Sequence, residues 1–199
     1  MKYFYQFTLS LLLTSCMTLN DSWEDLGDNY TFHRDGRWTK IYGNGVYSNT
    51  DIYSSILEYN FNDNYIIAKQ QPDKEHHQIF IRSNYQSRFS IYEYYLSDSS
   101  AMKAESTPST IQAMKSDVKL YELLKSKGVT KNNTTKDWEK IDIVLDSIFQ
   151  TDPQYVKLFE SAVNYWIIDK KVNKRYGPLT IEEFNGLNEQ LNVSLEFKK

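Results

Sequence analysis

Few residues in this chain have a type and spacing that could do chemistry. Cys16 is the only cysteine. It follows Leu13-Thr14-Ser15 at the end of an apolar run, so its thiol is placed for modification near an exported N-terminus. His33, His76 and His77 are the only histidines. The neighbours His76 and His77 would point to opposite faces of a strand, or about 100° apart on a helix. Neither arrangement suits joint chelation, so no metal site is expected. Asp25 and Asp28 could bind a cation, but three residues apart in a turn they are expected to cap or solvate backbone groups. Asp142 and Asp146 share a helix face. Paired carboxylates can do acid–base work, but on an amphipathic helix they are expected to face water. Lys170, Lys171, Lys174 and Arg175 form a basic cluster, expected as a solvated hairpin tip rather than an anion or lipid-headgroup contact. The chain has no HExxH, GxSxG, Walker A, dinucleotide glycine fingerprint or calcium loop. No catalytic residue and no cofactor is therefore assigned.

The first fifteen residues read as a leader. Lys2 supplies a positive charge, Phe4 to Leu13 are mostly apolar, and Thr14 and Ser15 are small. The apolar run spans about half of the roughly 20 residues a membrane-crossing helix needs. The ending Leu13-Thr14-Ser15-Cys16 resembles the bacterial lipobox, in which the cysteine thiol takes a diacylglycerol and cleavage occurs between the residues here numbered Ser15 and Cys16. Two or more acyl chains hold a membrane stably where one does not. Lipidation would use the only thiol, leaving no disulfide, thiol nucleophile or cysteine metal site. Residues 16–22 would form a tether whose free part, 17–22, reaches about 20 Å. Met17, not Asp, follows Cys16, which resembles the outer-membrane pattern of enteric lipoproteins.

Removing fifteen residues from 199 leaves 184, which suits one domain over 23–199. Charged residues make up 25% and aromatics 15%, a foldable composition. The net charge of −3 becomes −4 without Lys2. An acidic chain with no dense basic stripe is a poor nucleic-acid binder. The 16 tyrosines could stack on sugars, but they also suit strands with packed rings.

These residues need elements to place them, and the pattern is α+β. From Trp23 to about Gln71 the signals are those of an antiparallel meander of about four strands. Tyr30–His33 and Trp38–Tyr42 flank the turn pair Asp35-Gly36, and Ile56–Phe61 and Tyr65–Lys69 flank Asn62-Asp63-Asn64. Residues 72–97 stay open between helix and strand, and 97–110 read as a loop. A helical segment follows at about 110–163. Its first stripe is Ile111, Met114, Val118, Tyr121 and Leu124 or Lys125 before Gly128, and its second is Trp138, Ile141, Leu145, Ile148 and Phe149. The third helix starts at Asp152-Pro153 with Val156, Phe159 and Val163 on one side. The C-terminal unit is a β-hairpin, Tyr165–Asp169 and Arg175-Tyr176, stopped by Gly177-Pro178. A helix packed on the sheet comes next, with a capping box Thr180–Glu183 and a Leu179–Phe184 staple. Alternating Val193, Leu195 and Phe197 suggest a last strand.

Two pieces together, Asp25-Leu26-Gly27-Asp28-Asn29-Tyr30 and Tyr165-Trp166-Ile167-Ile168-Asp169-Lys170 with Tyr176-Gly177-Pro178-Leu179-Thr180, resemble a family of small bacterial lipoproteins whose shared domain has no assigned activity. The resemblance covers the first strands and the C-terminal hairpin-helix unit, and it carries no functional residue. The expected protein is a membrane-anchored envelope lipoprotein, held through lipid on Cys16, that serves as a non-enzymatic binding or structural module for a protein or glycan partner. The alternatives are an inhibitor or immunity-type protein at the membrane and, third, a cell-wall or glycan hydrolase.

Overall fold

The structure, a computed structural model, describes residues 21–43, 50–97 and 118–197. The expected leader, Ser15, Cys16, most of the tether, the loop from 98 and the start of the stripe at Ile111 lie outside the described residues.

The α+β class is as expected, but the strands divide differently. β1 (Ser22–Gly27), β2 (Tyr30–Asp35) and β3 (Trp38–Tyr42) form one antiparallel sheet. β4 (Ile56–Phe61), β5 (Tyr65–Gln70), β6 (Asn164–Asp169) and β7 (Lys174–Leu179) form a second, in that order. The expected four-stranded meander is thus five strands in two sheets. The chain breaks at 50–55, where only the bridge Ile41–Ile52 pairs. There Thr39 Oγ1 takes the Ile56 N–H at 2.6 Å in place of a ladder bond. The β1–β2 turn is left-handed at Asp28 (φ 53°) and Asn29 (φ 63°), residue types that tolerate this region. Before it, a register shift between Asp25 and Gly27 is closed by Asp25 Oδ1 accepting the Gly27 N–H at 2.8 Å.

The second sheet is covered on both faces, which explains the unbroken apolar runs of β5 and β6. Ile66, Ala68, Trp166 and Ile168 face Leu26, Tyr30, Phe32 and Ile41 of the first sheet. Ile67 and Ile167 face the other way, onto Phe184, Val193 and Leu195. Ile66, Ile67, Ile167 and Ile168 are fully buried, each worth about 1.5–3 kcal/mol.

The open stretch 72–97 is a helix, α1 (Lys74–Ser97). Asp73 caps it, its Oδ1 accepting the His76 N–H at 2.9 Å. It packs with α2 (Val118–Ser126) and α3 (Thr135–Thr151) in a helical core built on Ile81, Phe89, Leu124, Ile141 and Leu145. Gly128 ends α2 with φ 74°, and the Val129 N–H turns back on the Leu124 carbonyl. Of the second stripe, Ile141, Leu145 and Phe149 are buried, while Trp138 remains 39% exposed. α4 (Pro153–Glu160) starts at the expected cap, Asp152 Oδ1 accepting the Gln154 N–H at 2.8 Å. Its buried residue is Leu158, with Val156 and Phe159 half-buried and Val163 already past the helix.

The hairpin strand β7 runs through Gly177 and Pro178 instead of stopping at them. α5 (Ile181–Gln190) carries the expected Thr180–Glu183 capping box, and Leu179 and Phe184 share the third core. The expected last strand is not one. Val193 and Leu195 are buried in alternation, but among the described residues no backbone ladder holds them; Asn60 Nδ2 donates to the Glu196 carbonyl at 2.8 Å. Alternating burial here reflects packing on α5 and the sheet, not strand pairing.

Candidate functional site

A cavity of about 50 Å³ lies where the two sheets meet α1 and α4. Arg175 on β7, Trp166 on β6, Gln70 on β5, His77 on α1, Tyr155 on α4 and the 51–53 segment line it. Arg175 pairs across the hairpin with Ile168, so it shares the inward face of Ile168 and Trp166. The expected solvated hairpin tip therefore holds only in part: Lys171 and Lys174 are exposed, but Arg175 points into the protein. A strand buried on both faces leaves its partner no wet side at that register.

Among the described residues the guanidinium has one hydrogen-bond acceptor and one ring contact. Its Nη1 donates to the Asp51 carbonyl, and its carbon lies 4.9 Å from the Trp166 ring centroid. The wall behind is pinned: Trp166 Nε1 donates to Gln70 Oε1 at 2.7 Å, and Gln70 Nε2 donates to the Tyr53 carbonyl. The Asp51 carboxylate takes other donors, the Gly43 N–H at 2.6 Å and the Tyr53 hydroxyl at 3.0 Å. Burial pushes the pKa of Arg175 down from its ordinary value, opposed by Tyr155, Asp51 and Tyr53. Burial also raises the Tyr155 phenol.

His77 looks like part of a Ser–His pair, since Ser54 Oγ lies 3.4 Å from its Nδ1. The same nitrogen lies 2.9 Å from the Asp73 carbonyl. A carbonyl can only accept, so Nδ1 carries the proton and cannot take one from Ser54. Ser54 is also fully buried. Burial brings the pKa of His77 to about 4, leaving it neutral near pH 7.

A second, open cleft of about 460 Å³ is lined by Leu26, Gly27, Asp28, Phe61, Asn62, Asp63 and Lys170. Lys170 is 7% exposed, not solvated. Its Nζ donates to the Leu26 carbonyl and, at 2.7 Å, to the Asn62 carbonyl. Tyr30 Oη donates to Asn173 Oδ1 at 2.6 Å nearby. The turn of the first motif and the hairpin of the second, 140 residues apart in the chain, thus touch through one buried ammonium and one phenol. Their shared content is a joint between the two sheets.

The other candidates are spread out. Asp25 bonds the turn backbone, as expected, and Asp28 lines the open cleft. Asp142 and Asp146 do not simply face water. They pair with Arg82 at 2.7 Å and Lys74 at 3.3 Å, joining α3 to α1. His76 stacks on Trp38 with centroids 4.6 Å apart, and His33 lies against Trp23 and Tyr42. Among the described residues no three His, Cys, Asp or Glu side chains gather to hold a metal, and no helix is long and apolar enough to cross a membrane.

No curated protein and no solved structure matches the chain. Residues 143–199, which include Trp166, Lys170 and Arg175 but not the Asp25–Tyr30 turn, match a family described as a protein of unknown function (DUF3997).

Proposed function

We propose that the chain is a membrane-anchored bacterial envelope lipoprotein whose folded part is a non-enzymatic binding module. The observation that carries this reading is the placement of the only cysteine, Cys16, directly after Leu13-Thr14-Ser15 and an apolar leader. Acylation there would anchor the chain and use its only thiol. β1 begins at Ser22, so five residues, 17–21, separate the lipidated Cys16 from the first sheet, and the domain works within about 20 Å of the membrane. The cavity under Arg175 supports binding over turnover, because Trp166, Gln70 and Tyr53 are held by fixed partners and His77 offers no base to Ser54. The partner is a protein or a glycan of the envelope, and the surface pole is the outer membrane or cell surface. Growth with a radiolabelled fatty acid tests the anchor. The wild-type chain should be labelled and Cys16→Ala should not; an unlabelled wild type, or a labelled variant, overturns the reading.

A further inference from the structure

We propose that the cavity under Arg175 is a receptor for a single carboxylate group. This deepens the binding-module reading and is independent of the lipid anchor.

The cavity holds more donors than acceptors among the described residues. A guanidinium has five N–H groups in a planar fork. Only Nη1 of Arg175 has a protein acceptor among the described residues, the Asp51 carbonyl. The Tyr155 hydroxyl, on the same cavity wall, has no hydrogen-bond partner among the described residues. Acceptors are the scarce commodity here. The Asp51 carboxylate accepts from the Gly43 N–H and the Tyr53 hydroxyl, and its charge favours the charged guanidinium. His77 is neutral and adds no positive charge. The site therefore presents donors for which the described residues supply no further oxygen acceptor.

Shape narrows the ligand. About 50 Å³ is room for three or four water-sized spheres. That admits a planar carboxylate head. Trp166 lies against the guanidinium and Gln70 holds Trp166, so the donors Nη1 does not spend on Asp51 remain for two parallel N–H···O bonds to one carboxylate. Tyr155 then gives a third donor to one carboxylate oxygen. Gln154 and Tyr155 sit at the first turn of α4, and Gln154 is exposed. Any larger body carrying the carboxylate would stay outside, next to Gln154. The same carboxylate could come from a free small acid or from the C-terminus of a peptide, the latter matching a protein partner or a wall peptide.

The test uses the full-length chain purified in detergent. Thermal unfolding and titration calorimetry are run with sodium acetate against sodium chloride at equal ionic strength, and with a short peptide bearing a free or an amidated C-terminus. The expected result is saturable stabilisation by acetate or by the free-carboxylate peptide, but not by chloride or the amide. If acetate binds, the source is a small acid; if only the peptide does, it is a chain terminus. Tyr155→Phe, which keeps the ring, should weaken binding about tenfold. Arg175→Lys should abolish it. Equal response to acetate and chloride together with equal response to both peptides would overturn the proposal and leave a cavity that holds only water. Unchanged affinity in a folded Tyr155→Phe would also overturn it.

Discussion

Acid should weaken this protein well above the pH where its carboxylates titrate. His76 and His77 are 1% and 3% exposed at the start of α1, and burial brings both pKa values to about 4 against an ordinary 6.5. Each ring is neutral in the folded chain and protonates readily once unfolded. The stability held by keeping them neutral is complete above pH 6.5 and is lost as the pH falls toward 4. For one ring, moving from pH 7 to 5 costs about 2 kcal/mol, so the two together cost about 4 kcal/mol. That is a large part of the 5–15 kcal/mol typical of a domain. Glu93, Glu183 and Asp137 have lowered pKa values, so their contributions fade only at more acidic pH. Urea unfolding followed by tryptophan fluorescence at pH 7.5, 6 and 5 would show the loss. His76→Phe isolates one ring: it can keep the stack on Trp38 and the edge contact with Phe80, and it removes two ring nitrogens that have no partner. The variant should be more stable at pH 7 by about 1 kcal/mol and lose about 2 kcal/mol less on going to pH 5. A wild-type stability that stays flat from pH 7 to 5, or the same slope in both proteins, would refute the reasoning.

Other substitutions probe the joints around the cavity. A Cβ at Gly177 would lie 2.5 Å from the Trp166 ring, with φ at 136°, so Gly177→Ala should lower stability by about 2–4 kcal/mol in denaturant titration. Lys170→Met should cost about 1–3 kcal/mol by leaving the Leu26 and Asn62 carbonyls without their donor, and hydrogen exchange should rise at the Asp25–Tyr30 turn before it rises in β6. Burial alone would raise the Asp137 carboxylate, but hydrogen bonds from Thr134 and Thr130 outweigh it and bring its pKa to about 2. Asp137→Ala should therefore cost about 1–2 kcal/mol at pH 7, and the penalty should shrink as the pH falls below 3.8 toward 2.

Caps and turns were legible in the sequence because they are local. Thr180 with Glu183, Asp152 with Pro153, and Gly128 each act within a few residues. α1 was hidden because its inward line, buried His77, Ile81 and Phe89 with half-buried Tyr85, runs in steps of four but opens on a histidine, with buried Gln86 beside it. A stripe read only from aliphatic residues misses it. Burial of Lys170 and Arg175 was hidden because a cluster of charges looks wet. The available signal was the apolar run Tyr165–Ile168, which marks a strand covered on both faces and makes a charge on its hairpin partner suspect. The split of the strands into two sheets depends on β5 meeting β6 across nearly a hundred residues, and no local pattern encodes that pairing. The cavity follows from the same pairing, which brings Gln70 to Trp166 and the 51–53 segment to Arg175.

The central claim rests on Cys16. The most direct measurement is the mass of the N-terminal peptide of the protein isolated from bacterial membranes. The expected chain begins at Cys16 and carries a diacylglycerol thioether. A chain that retains Met1, begins at another residue, or carries Cys16 as a free thiol would contradict it.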